Sequence, residues 1–566
     1  MTEMISGIQA LRRPATRPDA PGGTYPGLRP GREVHARGSV IDGGRALGCD
    51  VVVDRDVAIP LRDGVIVYTD IVRPADRDAD LPVLVAWSPY GKQDTGSLLD
   101  MIPGRAGIAT DALSNLQKWE GPDPGYWCAY GYAVANVDPR GVNSSGGDAQ
   151  FWSESEGRDA FDVIEWLAIQ SWSNGKVAMA GNSWLAVSQW FTAAERPPHL
   201  AAIAPWEGMS DYYRDMAIRG GIPTGDAFCN FVLTNSVRGN GTVEDIPAMI
   251  TEHPLFDDYW ATKRAAVEKI VVPAYVVASW TQLHSSRTLD AFRRLSGDKW
   301  LRVHNTHEWP DFYSDVYTED LRRFFDHYLL GVDNGWETTP AVRLSILDPG
   351  GTDVVDLPEP QWPIATALHQ PLYLDFSAGE LTAAPPQQES EHSYAAVDGQ
   401  VVLSYRFDHD TDLIGYSKLR LWVQADGNDD MDLFVRLDKL GIDGAVLSPV
   451  VLDQPVQATS GQLRVSHRRC DPQVSTPSEP FLTHTHEELL HPGDIVPVDI
   501  GLWATAIRFH AGESLAVTIS GARLIPAELN QISKAPLRNH GAHILRAGGR
   551  YDSHVLLPLM SGPNDA

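Results

Sequence analysis

Gly175-Lys176-Val177-Ala178-Met179-Ala180-Gly181-Asn182-Ser183-Trp184, followed by Leu185 to Ala194, is the stretch whose reading decides the fold. Its first residues read as a short buried strand entering a glycine. Leu185 to Ala194 has helical spacing and no breaker. A serine on a sharp strand-to-helix turn has its hydroxyl lifted out of the backbone. It also gains the backbone N–H groups of a helix start, which can hold an oxyanion. A bare Gly-x-Ser occurs by chance in most long chains, and the fifth position is Leu185 where the common G-x-S-x-G pattern has glycine. The strand before the serine and the helix after it give the motif its meaning.

Outward from this turn, strands and helices alternate. Val51-Val52-Val53 and Ile66 to Val72 read as two strands joined through the turn Leu61-Arg62-Asp63-Gly64. Leu81 to Trp87 is apolar throughout, as a strand buried on both faces must be. Tyr132 to Val137, Leu200 to Ala204, Ile270 to Ala278 and Trp300 to Val303 continue the series, with helices over Gly157–Gln170 and Thr318–Leu330. Alternation over this length predicts a mainly parallel, doubly wound α/β sheet with its chemistry at the carboxyl ends of the strands.

Between Gly208 and Val272 the pattern turns to polar-aromatic helical pieces, as a helical cap over a pocket would. Beyond about Pro340, short alternating segments between Gly, Pro and Asp turns predict a β-sandwich of jelly-roll type. The expected division is an N-terminal arm over 1–48, loose and partly ordered, and an α/β core over 49–207 and 270–338. A helical cap covers 208–269 and a C-terminal jelly roll 339–566.

Composition bounds the function. A chain of 566 residues with 43% hydrophobic residues has ample core for several domains. The excess of 74 Asp and Glu over 46 Lys and Arg, a net charge of −28, argues against nucleic acid and anionic membrane as partners. Cys49, Cys128, Cys229 and Cys470 are far apart and form no C-x-x-C pair, which predicts free thiols in a reducing, cytoplasmic setting. No run of 18 apolar residues occurs, and the N-terminus carries no apolar signal-peptide core.

Ser88-Pro89-Tyr90-Gly91-Lys92, Asp138-Pro139-Arg140-Gly141, Trp172 to Val177 and Gly181 to Leu185 fall in the order and spacing of a known group. Arg322 to Gly331 and Gly549 to His554 fit it as well. On these motifs the chain resembles the cocaine esterase/X-Pro dipeptidyl-peptidase type α/β-hydrolases from about residue 50 to 560. The resemblance implies an α/β-hydrolase core, a helical cap, a C-terminal jelly roll and hydrolysis of esters or amides through an acyl-serine. It implies no cofactor and no metal.

Under this resemblance Ser183 is the nucleophile. Tyr90 points its hydroxyl at the developing oxyanion, and the Trp184 N–H is the second donor. The base follows the last core strand, where His304 and His307 both qualify. His304, directly at the strand's carboxyl end, is the expected base, and His307, which better matches the cocaine-esterase branch, is the alternate. A zinc pair is a poor reading, because His304-Asn305-Thr306-His307-Glu308 is not H-E-x-x-H.

The triad acid is where the sequence departs from the family pattern: Gln282 stands at the position of its aspartate. An amide cannot stabilise an imidazolium, and a comparable Asp-to-Asn change costs about 10⁴ in rate. Glu207, after the neighbouring strand, is the replacement, at an expected distance of about 4.8 Å between strands. Asp211 is a weaker competitor. Trp206, Trp280, Tyr212 and Tyr213 are expected around the mouth, as an aromatic wall or as packing between cap and core. Asp429, Asp430 and Asp432 are expected in a solvated turn.

The expected activity is hydrolysis of a carboxylic ester or lactone. Amide or peptide hydrolysis and acyl transfer are the alternatives, and an inactive ligand-binding protein is the rival from another class. The expected partner is a small-molecule ester, lactone or amide, and a homo-oligomer is compatible with this reading.

Overall fold

Eleven strands join into the sheet that carries the site. In chain order they are β1 (Gly31–His35), β2 (Val51–Pro60), β3 (Ile66–Pro74), β4 (Leu81–Trp87), β5 (Ala133–Asp138) and β6 (Ser173–Asn182). β7 (Leu200–Trp206), β8 (Ala274–Ser279), β9 (Lys299–His304), β10 (Val342–Ile346) and β11 (Val354–Glu359) follow. Across the sheet they run β11-β10-β9-β8-β7-β6-β4-β5-β3-β2-β1. The structure is a computed structural model. It describes all residues except 1–3, 6, 24, 78, 93–98, 101, 282–285, 457–458, 525–532, 534 and 562–566.

Strands β4 to β10 are parallel, and β1, β2, β3 and β11 add antiparallel edges. All seven side chains of β4 are buried, because helices cover both faces of a parallel sheet. β5 lies on one side of β4 and β6 on the other, so the strand order reverses at β4. A crevice opens above such a reversal. Helix α1 (Glu154–Ala168) leads into β6. It buries Val163, Ile164 and Leu167 at helical spacing, and Ser153 caps it by accepting the Glu156 N–H. Helix α2 (Trp184–Ala194) starts directly after Ser183 and is buried almost throughout.

The chain between β7 and β8 forms a π-helical turn at Tyr213–Ala217, helices α3 (Asp226–Asn235) and α4 (Ile246–Glu252), and shorter turns. Strands from Leu368 onward build a β-rich unit whose Lys418–Asp426 strand alternates buried and half-exposed residues, as a strand with one face in a core must. The two units are tied together. The Arg464 N–H donates to Gly220 O at 2.7 Å, and the Arg219 guanidinium lies 3.5 Å from the centre of the Trp503 ring.

Three local differences from expectation have plain causes. The N-terminal segment is not a loose arm: β1 pairs with β2, and Arg12–Pro14 pairs with Thr242–Glu244, so backbone hydrogen bonds fix it. The large sheet runs past residue 338 through β10 and β11, where Val342, Leu344 and Ile346 supply one more buried strand. Asp430 and Asp432 are buried and not solvated, because Arg464 takes Asp432 in a two-toothed ion pair and Arg538 reaches Asp430 at 3.1 Å.

Candidate active site

Register brings the candidate residues to one edge of the sheet. Asn182 at the end of β6 stands opposite Trp206 at the end of β7, and Ser279 at the end of β8 stands opposite His304 at the end of β9. Ser183 follows at φ 53°, ψ −115°, a strained conformation for a residue with a side chain. Such a turn needs Gly181 before it. A Cβ there would come within 2.7 Å of Glu120 O and 2.5 Å of the Leu185 side chain. Leu185 therefore fills the place that a glycine takes in the common motif.

Tyr90, three residues past the end of β4, brings its hydroxyl beside the Ser183 side chain. Burial raises the pKa of its phenol well above the ordinary value, and the carboxylates of Glu120 and Glu308 push the same way, so the hydroxyl keeps its proton and can donate. The Trp184 indole meets the Tyr90 ring edge-on, with centres 6.5 Å apart. As the first residue of α2, Trp184 has a backbone N–H with no acceptor inside its own helix.

Glu207 also sits at positive φ, 55°, and its N–H donates to Val277 O at 2.7 Å. Its Oε1 lies 2.5 Å from Nε2 of His304. Nδ1 of the same ring accepts the Thr306 N–H at 3.3 Å. With both nitrogens so engaged, no hydrogen bond of His304 reaches Ser183. A second carboxylate oxygen, from Asp311, is 3.8 Å from Nε2, and that aspartate is clamped by the buried Arg302. Burial alone would lower the His304 pKa, but Asp311 and Glu207 outweigh it and the net shift is upward.

His307 caps the helix Glu308–Phe312 by accepting the Trp309 N–H at 3.5 Å, and its ring lies 4.2 Å from that of Trp309. The segment is held over the nucleophile turn from two sides. The Asn182 amide donates to Glu308 O at 3.0 Å, and the Trp309 indole donates to Glu120 at 2.8 Å. Gln282 lies outside the described residues. Asp211 pairs with Arg214 at 2.9 Å inside the 208–269 segment. Trp206, Trp280, Tyr212 and Tyr213 are all buried and pack in the core.

Sequence reasoning missed Glu120 and Glu308. Both are buried acids, and Glu120 has its pKa raised well above normal, first by burial and then by Glu308 and Glu207. A glutamate directly after a candidate histidine was the available signal for Glu308; Trp119-Glu120-Gly121 carries none. No set of three or more His, Cys, Asp or Glu among the described residues could hold a metal ion. No helix among them is long and apolar enough to cross a membrane.

The comparisons with known proteins agree with this architecture. Residues 63–247 match the X-Pro dipeptidyl-peptidase (S15 family) model, and residues 334–556 match the X-Pro dipeptidyl-peptidase C-terminal non-catalytic domain. The chain is 24% identical to the cocaine esterase of Rhodococcus sp. (strain MB1 Bresler), over 90% of this chain and 98% of that protein. It is 24% identical to a putative serine esterase of Mycobacterium bovis, over 82% and 89%. A crystal structure of a CocE/NonD family hydrolase from Staphylococcus aureus superposes with a TM-score of 0.87 at 33% identity, covering 94% of this chain and 97% of that one. An α/β-hydrolase sheet ending in a strained serine turn, a β-rich C-terminal unit and this likeness over nearly the full length have one reading: the chain belongs to the CocE/NonD family of serine hydrolases, of the X-Pro dipeptidyl-peptidase type.

Proposed function

We propose that this hydrolase cleaves a carboxylic ester through an acyl-enzyme on Ser183. Ser183, losing its proton to the histidine base, attacks the ester carbonyl while the Tyr90 hydroxyl and the Trp184 N–H hold the oxyanion; the C–O bond then breaks and the alcohol leaves with that proton. Water then releases the acid. The observation that carries this reading is the Tyr90 hydroxyl beside a serine held at φ 53° on a strand-to-helix turn. It puts a neutral donor beside the nucleophile, where negative charge develops. The ester is preferred to the amide because the likeness to the Rhodococcus cocaine esterase runs along 90% of the chain. The likeness to a putative Xaa-Pro dipeptidyl-peptidase of Streptomyces avermitilis covers 51%. A lactone is a cyclic ester and would open by the same attack.

The proposed base is His304, with Glu207 as the triad acid at 2.5 Å. To take the serine proton, the ring gives up its 3.3 Å bond from the Thr306 N–H, the longer of its two contacts. That bond also favours a second reading, in which His307 is the base. Its loop is fastened to Asn182, the residue before the nucleophile, and it needs no release of His304. In the same proposal the 208–269 segment caps the site and the C-terminal unit is a jelly roll.

Labelling with a fluorophosphonate, followed by peptide mapping, tests the reading. Covalent label on Ser183 together with turnover of short acyl esters is expected. A protein that stays unlabelled and turns over neither esters nor amides is the inactive binding protein instead.

A further inference from the structure

Ser153-Glu154-Ser155-Glu156 opens α1 with the spacing of a capping box, in which the glutamate side chain returns to the start of its own helix. Only half of that box forms. Ser153 accepts the Glu156 N–H at 3.4 Å, but the Glu156 side chain turns inward and is 5% exposed. Its Oε1 accepts two indole N–H groups, from Trp87 at 2.9 Å and from Trp184 at 3.1 Å. Its Oε2 has no hydrogen-bond partner among the described residues. Burial pushes the acid up to about 7, against the pull of the two indoles and of Lys263. A carboxyl kept here is costly to the fold, so a role in helix capping does not account for it.

The two indoles belong to the two segments that carry the two oxyanion donors. Trp87 ends β4, and Tyr90 follows three residues later. Trp184 supplies its own backbone N–H, and its ring supports that of Tyr90. The Ser188 hydroxyl reinforces the same junction, lying 3.2 Å from Trp87 O and 3.0 Å from Trp184 O. The Trp184 ring is packed on its remaining sides by Phe151, at 5.0 Å between centres, and Trp152, at 4.6 Å.

We infer that Glu156 is the positioning residue of the oxyanion pocket. By accepting both indole N–H groups on one oxygen, it fixes the β4 end against the α2 start, and so fixes the Tyr90 hydroxyl and the Trp184 N–H relative to Ser183. The inference rests on the proposed roles of those three residues. A displacement of either donor weakens the transition state more than the bound ester, because the oxyanion exists only in the former.

The test measures kcat and KM on a short acyl ester, normalised to the fraction of enzyme labelled by fluorophosphonate, with Ser183→Ala in parallel. Glu156→Leu removes the acceptor that both indoles share, and kcat is expected to fall by about 10- to 100-fold with KM changed far less. Glu156→Gln keeps one carbonyl oxygen for the indoles and should recover at least a tenfold part of that loss. Trp184→Phe removes one indole donor but leaves an aromatic ring; its effect should not add to that of Glu156→Leu. Should the leucine variant fail to fold, Trp87→Phe and Trp184→Phe carry the test, each with kcat lowered by about tenfold. A leucine variant within threefold of wild-type kcat, a loss confined to KM, additive single effects, or wild-type kcat in both phenylalanine variants overturns the inference. Activity surviving in Ser183→Ala would instead overturn the site reading itself.

Discussion

The Ser183 amide donates to the carbonyl of Trp206 at 3.1 Å, binding the candidate nucleophile to the residue just before Glu207. Both Ser183 and Glu207 stand at positive φ, 53° and 55°, at the ends of adjacent parallel strands. Two such residues side by side cost on the order of 1–3 kcal/mol each, a strain that persists where surrounding structure over-determines it. Here the over-determination is visible. Glu207 N–H is held by Val277 O, and the Gly208 that follows packs where a Cβ would meet the backbone of α2.

Ser183→Ala is expected to abolish ester turnover without unfolding the protein, since alanine fits the turn no worse than serine does. Thermal melting and an ester assay check the two halves. A folded alanine variant within tenfold of wild-type turnover would remove Ser183 from the mechanism.

Tyr90→Phe should lower kcat by about 10²-fold and change KM less, because the hydroxyl acts on charge that appears in the transition state. The phenol is half-buried and packs against Trp184, so the ring must be retained in the variant. An effect confined to KM would mean that the tyrosine binds substrate and does not hold the oxyanion.

Much of this was legible from periodicity. Leu81–Trp87 is apolar at every position because it lies at the centre of a parallel sheet, and the Ser183 turn is a local motif with local causes. The side chains that converge from distant segments were harder. Glu207 could be singled out from sequence, since it follows the strand that neighbours Ala274–Ser279, after which Gln282 comes in the chain. Glu120, Glu156 and Asp311 could not, because each is buried by contacts more than 25 residues away or by a local turn without signal. The N-terminal segment departs from expectation for a similar reason: prolines and arginines read as solvent-exposed chain, and nothing in Arg12–Pro14 announces its pairing with Thr242–Glu244.

The two histidines can be separated by matched asparagine variants. If His304 is the base, His304→Asn and Glu207→Gln should each lower kcat by on the order of 10³–10⁴, and the double variant should lose little more. His307→Asn should then cost less than tenfold. The reverse pattern, with His307→Asn nearly inactive, would make His304–Glu207 a buried structural pair. Glu207→Gln would then act on melting temperature and only weakly on kcat.

A last prediction concerns Lys118, fully buried below the site, two residues before Glu120. Its ammonium nitrogen lies 2.5 Å from Val137 O and 3.9 Å from Asp138, while Lys92 occupies the other side of that aspartate at 3.2 Å. Burial lowers its pKa from 10.5 to about 7; Lys92 pushes the same way, and Asp138 and Asp70 oppose. The unfolded chain therefore holds the extra proton between about pH 7 and 10.5, and stability must rise with pH across that window. Below pH 7 both states are protonated, and the cost of the buried charge is present in full. Lys118→Met removes the titration along with the bond to Val137 O. The stability difference between wild type and variant should tilt toward wild type by on the order of 1 kcal/mol per pH unit from pH 7 to 9, and stay flat from pH 5 to 6. Urea unfolding at four pH values measures it. A difference that is constant across the whole range would mean that Lys118 stays charged in the folded protein, with Asp138 as its true counter-ion.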